Sequence, residues 1–135
     1  MSRYTKSYLL SRVAIGASMF GHGLVRLPKL PVFSTWMMGQ FWFSMLPSGL
    51  VLPFSYILPV AEFVIGLLLL LGLFTEKALV AGTILMILLI FGSTTIESWD
   101  AIPSQLIHVA FFTVLLIFAE HNSYAVDIAL RRKSE

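Results

Sequence analysis

Five residues in this chain have the chemistry to move protons or hold a polar ligand: His22, Arg26, Glu62, Gln105 and His108. Glu62 stands out because of its setting. It lies inside PVAEFVIGLLLLLGLFT, the almost unbroken apolar run from Pro59 to Thr75. A carboxylate at the middle of a membrane helix costs about 2.5–3.5 kcal/mol on insertion scales, so it is turned toward other helices and partnered there. A glutamate beside a histidine can take up and release protons near neutral pH. Glu62 and His22 are therefore the candidate proton-exchange pair. His22, Arg26, Glu62, Gln105 and His108 are the candidate ligand-binding set, and a quinone headgroup is the ligand that suits them. The alternative is that the same polar contacts only hold membrane helices together.

For these residues to meet, the elements that carry them must lie side by side. The chain has 135 residues, 58% hydrophobic and 12% charged. Soluble domains carry about a quarter charged residues, so the composition points to a membrane protein. A single membrane domain over 1–135 is expected, all-α, as a bundle of four transmembrane helices at about 8–27, 53–74, 78–96 and 102–119. The first segment, with Arg3 and Lys6 ahead of it, resembles a signal-peptide n-region. No clean cleavage site follows, so it is read as a retained helix.

On the first helix, Arg12, Gly16, Met19, His22, Gly23 and Arg26 fall within an arc of roughly 120°. Small residues there permit close helix approach, and polar ones bond across the gap. Leu10, Ala14, Ala17 and Leu24 fall on the opposite, lipid-facing side. Pro28 and Pro31 end this helix. Between helices one and two, Val32–Leu52 is aromatic, uncharged and broken by Gly39 and Pro47. Its Trp36 and Trp42 suit the membrane–water boundary, and an interfacial or re-entrant segment is expected. On the second helix, Ser55, Pro59, Glu62, Gly66, Leu69 and Leu73 share a face.

Basic residues in short flanks set orientation. Arg3, Lys6, Lys77, Arg131, Arg132 and Lys133 gather at one end, which places both termini in the cytoplasm. At 1.5 Å per residue, His22 lies roughly 8 Å below the outer surface, His108 roughly 9 Å and Glu62 roughly 13 Å. His22 leans inward and Glu62 outward, so they converge, and Arg26 can reach down to the same carboxylate. Arg12, near the inner surface, leans toward cytoplasmic headgroups. Asn122–Leu130 suits a short amphipathic helix on that surface.

The chain has no cysteine, which removes disulfides, thiol relays and Cys-ligated clusters. Any redox role must use a bound quinone, a non-covalent cofactor or a partner. A b-type haem between His22 and His108 is disfavoured, since two histidines on separate helices are weak evidence. No metal site is expected, because the histidines and the carboxylate lack a ligand spacing. The pI near 9.2 reflects basic tails that face lipid, with no nucleic-acid partner implied.

Two patterns are family-like. One is Arg12-x3-Gly16-x5-His22-Gly23 followed by Arg26-Leu27; the other runs from Glu62-x3-Gly66 through the leucines to Gly72-Leu73-x-Thr75. Together they resemble the DoxX family of small four-helix bacterial membrane proteins, most closely over the first two helices. Arg26 stands where a lysine is expected, and Glu76-Lys77 where an arginine tends to follow the threonine. The resemblance implies a multi-pass protein of the bacterial inner membrane. It also implies an association with redox systems, since a related branch supplies the membrane subunit of thiosulfate:quinone oxidoreductase. A quinone-linked redox subunit or an accessory to an oxidoreductase complex is thus the expected function. A non-catalytic anchor or assembly subunit is the alternative. Neither reading decides whether the chain is itself an enzyme. The implied partners are the bilayer, other membrane or periplasmic redox proteins, and a second copy of the chain.

Overall fold

The computed structural model describes residues 2–135. Six α-helices follow one another: α1 (Arg3–Arg26), α2 (Leu30–Gln40), α3 (Ser48–Leu71), α4 (Thr75–Thr95), α5 (Ile102–Ile117) and α6 (Val126–Ser134). No strand occurs among the described residues. Helices α1, α3, α4 and α5 pack in a ring, each on the next, and α5 closes back onto α1. Apolar side chains such as Leu10, Ile57, Ile87, Ile107 and Ile117 remain exposed around this ring. An apolar exterior of that extent is unsuited to water. Three segments are long and apolar enough to cross a membrane: Ser48–Leu71, Thr75–Thr95 and Trp99–Ile117. Helix α1 has 24 residues but carries Arg3, Lys6, Arg12, His22 and Arg26, which lowers its hydropathy.

Helix ends differ from the expected ones for local reasons. Helix α1 starts at Arg3 rather than near residue 8, because the Ser2 hydroxyl accepts the Thr5 N–H at 3.1 Å and caps the first turn. Helix α3 starts at Ser48, where Pro47 supplies an extended N-cap, and runs through Pro53 and Pro59. The proline expected to open the helix is thus inside it. Helix α3 ends at Gly72, whose φ of +70° is the left-handed turn that favours glycine. The Leu73 N–H reaches back to the Leu68 carbonyl at 2.9 Å, completing the stop. The segment 32–52 resolves into α2, an irregular turn and the start of α3. Helix α2 lies against the first half of α3, joined by Ser34 and Ser55 hydroxyls 2.7 Å apart. The Phe41 ring just beyond α2 approaches Gly92 of α4.

Helices α1 and α3 cross closely. Gly23 faces Pro59 and Phe63, Gly66 faces Phe20, and Gly16 faces Leu69 and Leu70. A methyl group on Gly23 would sit 2.6 Å from the Pro59 carbonyl oxygen. On α3 the face expected from the sequence is buried at Ser55, Pro59, Glu62, Gly66 and Leu69, while Leu73, expected on the same face, lies past the end of α3 and is half-buried. On α1, Arg12, Gly16, Met19 and Gly23 are buried while Leu10, Ala14, Ala17 and Leu24 are exposed.

Candidate functional site

Glu62 is buried, with 5% of its side chain exposed, and its partner is Arg26. One guanidinium nitrogen, Arg26 Nη1, donates to Glu62 Oε2 at 3.1 Å and to Oε1 at 3.4 Å. Arg26 stands at the C-terminal end of α1, where the unpaired carbonyls favour a cation. The Phe33 ring of α2 covers the guanidinium, with the ring centroid 4.5 Å from Cζ. Three helices thus meet at one ion pair, which ties α1 to α3 and seats α2 above them.

His22 does not join that pair. Its side chain is exposed, and its Nδ1 lies 2.6 Å from the Ser18 carbonyl oxygen one turn back. The crossing of α1 and α3 at Gly23 directs His22 to the α5 side of α1. There its ring meets His108 edge-on, with centroids 6.2 Å apart. His108 Nδ1 likewise lies 2.7 Å from the Ser104 carbonyl, and its Nε2 lies 2.9 Å from the Ser18 hydroxyl. A carbonyl can only accept, so both Nδ1 atoms carry hydrogen. The Ser18 hydroxyl then donates to His108 Nε2 in the neutral tautomer. His22 Nε2 has no hydrogen-bond partner among the described residues. Gln105 turns to α4, where it exchanges hydrogen bonds with Ser93 at 3.0 and 3.3 Å.

The five residues therefore divide into three sets instead of one cluster: Arg26 with Glu62, His22 with Ser18 and His108, and Gln105 with Ser93. A groove of about 430 Å³ and another of about 250 Å³ are lined by other residues, and neither touches His22, Glu62 or His108.

A second polar group lies at the Gly72 end. Arg12 does not lean out to headgroups; it is 3% exposed and donates from Nη1 to Asn122 Oδ1 at 2.6 Å. Asn122 Nδ2 donates to the Thr75 hydroxyl at 3.1 Å. That hydroxyl donates to Asp127 Oδ2 at 2.8 Å. Asp127 also accepts the Phe74 and Thr75 N–H groups at 2.7 and 2.9 Å, so it caps α4 from 52 and 53 residues away. Its own N–H bonds the Gly72 carbonyl at 3.0 Å. Asn122 is buried ahead of α6 rather than on a surface helix. This latch went unread in the sequence, although one signal was present. Polar Asn122 and Asp127 follow the last apolar run and return to the end where Gly72-Leu73-Phe74-Thr75 leaves α4 without a cap.

Replacing Asp127 by alanine removes all three of these acceptor bonds. The expected cost is about 1–2 kcal/mol, as for a lost helix cap. Hydrogen exchange should accelerate at Phe74 and Thr75 and across α6, with α1–α3 unchanged; uniform protection throughout would show that the latch is not stabilising.

The fold and its two buried polar groups define a helical membrane protein in which the buried Arg12 and Glu62 are each hydrogen-bonded across the bundle. The DoxX family model matches residues 7–95, and the chain belongs to the DoxX family. No curated protein and no solved structure matches the chain. The matched residues include Arg12, Arg26, Glu62, Gly72 and Thr75; Asn122 and Asp127 lie beyond them.

Proposed function

We propose that this DoxX-family protein is a non-catalytic subunit of a membrane oxidoreductase assembly. In this reading it has four spans (α1, α3, α4 and α5) and lies in a bacterial inner membrane, with both termini cytoplasmic. The observation that carries the reading is the closed state of Glu62: both carboxylate oxygens meet Arg26, and Phe33 covers the cation. A carboxylate held in this way fixes helices and is poorly placed to exchange protons. The orientation is supported by Arg3, Lys6, Arg12, Lys77 and the Arg131–Lys133 run, which belong to the Gly72 end of the bundle.

The second reading is a quinone-linked redox role. It is favoured by the free Nε2 of exposed His22, next to His108, where a quinone oxygen could approach from the acyl chains. That reading uses the histidine pair, with Glu62 kept structural.

Glu62→Gln separates the two ideas of Glu62, because it keeps shape and removes the titratable proton. We expect the variant to accumulate in the membrane and to retain both its co-purifying partners and the activity of the assembly. A fall in activity at unchanged accumulation would return Glu62 to proton exchange. Purification in mild detergent, with lipid extraction and an optical spectrum, tests for quinone and haem. Quinone lost in His22→Ala would favour the second reading.

A further inference from the structure

His22 of α1 and His108 of α5 face one another with ring centroids 6.2 Å apart and ring planes at 84°. Both rings are held in the same way. Each commits Nδ1 to a carbonyl oxygen one turn back in its own helix, Ser18 for His22 at 2.6 Å and Ser104 for His108 at 2.7 Å. A neutral ring that donates from Nδ1 carries its lone pair on Nε2. Metal-binding histidines are oriented by such a bond, the second ring nitrogen donating to a carbonyl or a carboxylate. His22 Nε2 has no partner among the described residues, and His108 Nε2 has the Ser18 hydroxyl at 2.9 Å. The separation of the two residues in the chain hides the pair from any spacing rule; the contact of α1 with α5 creates it.

The distance suits one ion. With each nitrogen about 2 Å from a metal, and the ring centroid about 1 Å further back, two imidazoles in line stand about 6 Å apart. Histidine χ2 is a broad torsion, so the exposed His22 ring can turn Nε2 onto that line. The surroundings select the ion. Among the described residues no group of three or more histidines and carboxylates is placed to hold a metal, and the chain has no cysteine. The buried carboxylate nearby, Glu62, is taken by Arg26. Zinc wants four ligands, and calcium or magnesium a shell of oxygens. Two neutral nitrogens in an apolar bundle would also leave a double charge unmet. Copper(I) carries one charge and is stable between two imidazoles in line. We propose that His22 and His108 bind one copper(I) ion, which ties α1 to α5. On binding, the Ser18 hydroxyl gives up His108 Nε2 to the metal. The site needs only the two imidazoles and stands apart from both functional readings above.

The full chain, purified in detergent without a polyhistidine tag, is titrated anaerobically with copper(I) against the chromogenic chelator bicinchoninate. One ion per chain is expected, and X-ray absorption at the copper edge should show two nitrogen ligands. Loss of a supporting contact costs a metal site about 10–100-fold in affinity, and His22→Ala, which removes a ligand, should cost at least that. Ser18→Ala keeps both ligands and removes the competing hydroxyl. It should tighten binding about three- to ten-fold, the worth of one neutral hydrogen bond. His121→Ala is the control, since His121 stacks on Tyr4 away from the pair, and its affinity should equal that of the parent chain. Full binding in His22→Ala, or an equal loss in His121→Ala, overturns the proposal. So does displacement of the copper by an equal concentration of zinc. If a histidine variant fails to fold, Ser18→Ala decides: unchanged or weaker binding there overturns the site.

Discussion

Arg26→Ala is expected to cost about 3–5 kcal/mol, the penalty for stranding one partner of a buried ion pair. Arg26 is the hydrogen-bond donor to the buried Glu62 carboxylate, and His22 bonds Ser18 instead. The stability of the pair itself is a different quantity. Removing both charges together, as in Arg26→Met/Glu62→Met, should be close to neutral, because apolar replacements of buried ion pairs often are. Thermal unfolding in detergent, followed by size-exclusion, measures both variants. A single variant no less stable than the double one would show that Glu62 finds another partner. The double variant would then also lose its interest as a separator of packing from chemistry.

Gly66→Leu is expected to be as damaging by a different route. A side chain at Gly66 meets the Phe20 backbone, and even its first carbon would lie 2.8 Å from Phe20 Cβ. Backbone cannot rotate aside as a side chain does, so α1 and α3 must separate. Overpacking commonly costs about 1–3 kcal/mol, and this site belongs at or beyond the upper end. The separation would also pull Arg26 from Glu62, since both pairs span the same two helices. Gly21→Ala is the internal control. It lies two residues from Gly23 on α1, and nothing stands within 4 Å of its added carbon. That change should be neutral or stabilise by about 0.5–1 kcal/mol. If Gly66→Leu melts with Gly21→Ala, the close crossing is not what holds the bundle.

The periodicity of apolar and small residues carried the inward face of α3 and the lipid-facing side of α1. It could not separate His22 from Arg26. Both lie in one arc of α1, but the tight contact at Gly23 turns Arg26 toward α3 and His22 toward α5. That division depends on where two helices cross, a fact held jointly by Gly23, Pro59 and Phe63 and by none alone. Arg12 was harder still. A cation near a helix end reads as a headgroup contact, and its acceptor, Asn122, is 110 residues away. Pro53 misled for a simpler reason: a proline tolerated inside a helix has the same letter as one that opens it.

The 110 residues between Arg12 and Asn122 also couple two distant parts of the fold. Arg12 lies on α1, and its side-chain acceptor follows α5 in the turn ahead of α6. The buried guanidinium gains that acceptor only when the turn is docked, so loosening the turn and unseating α1 should occur together.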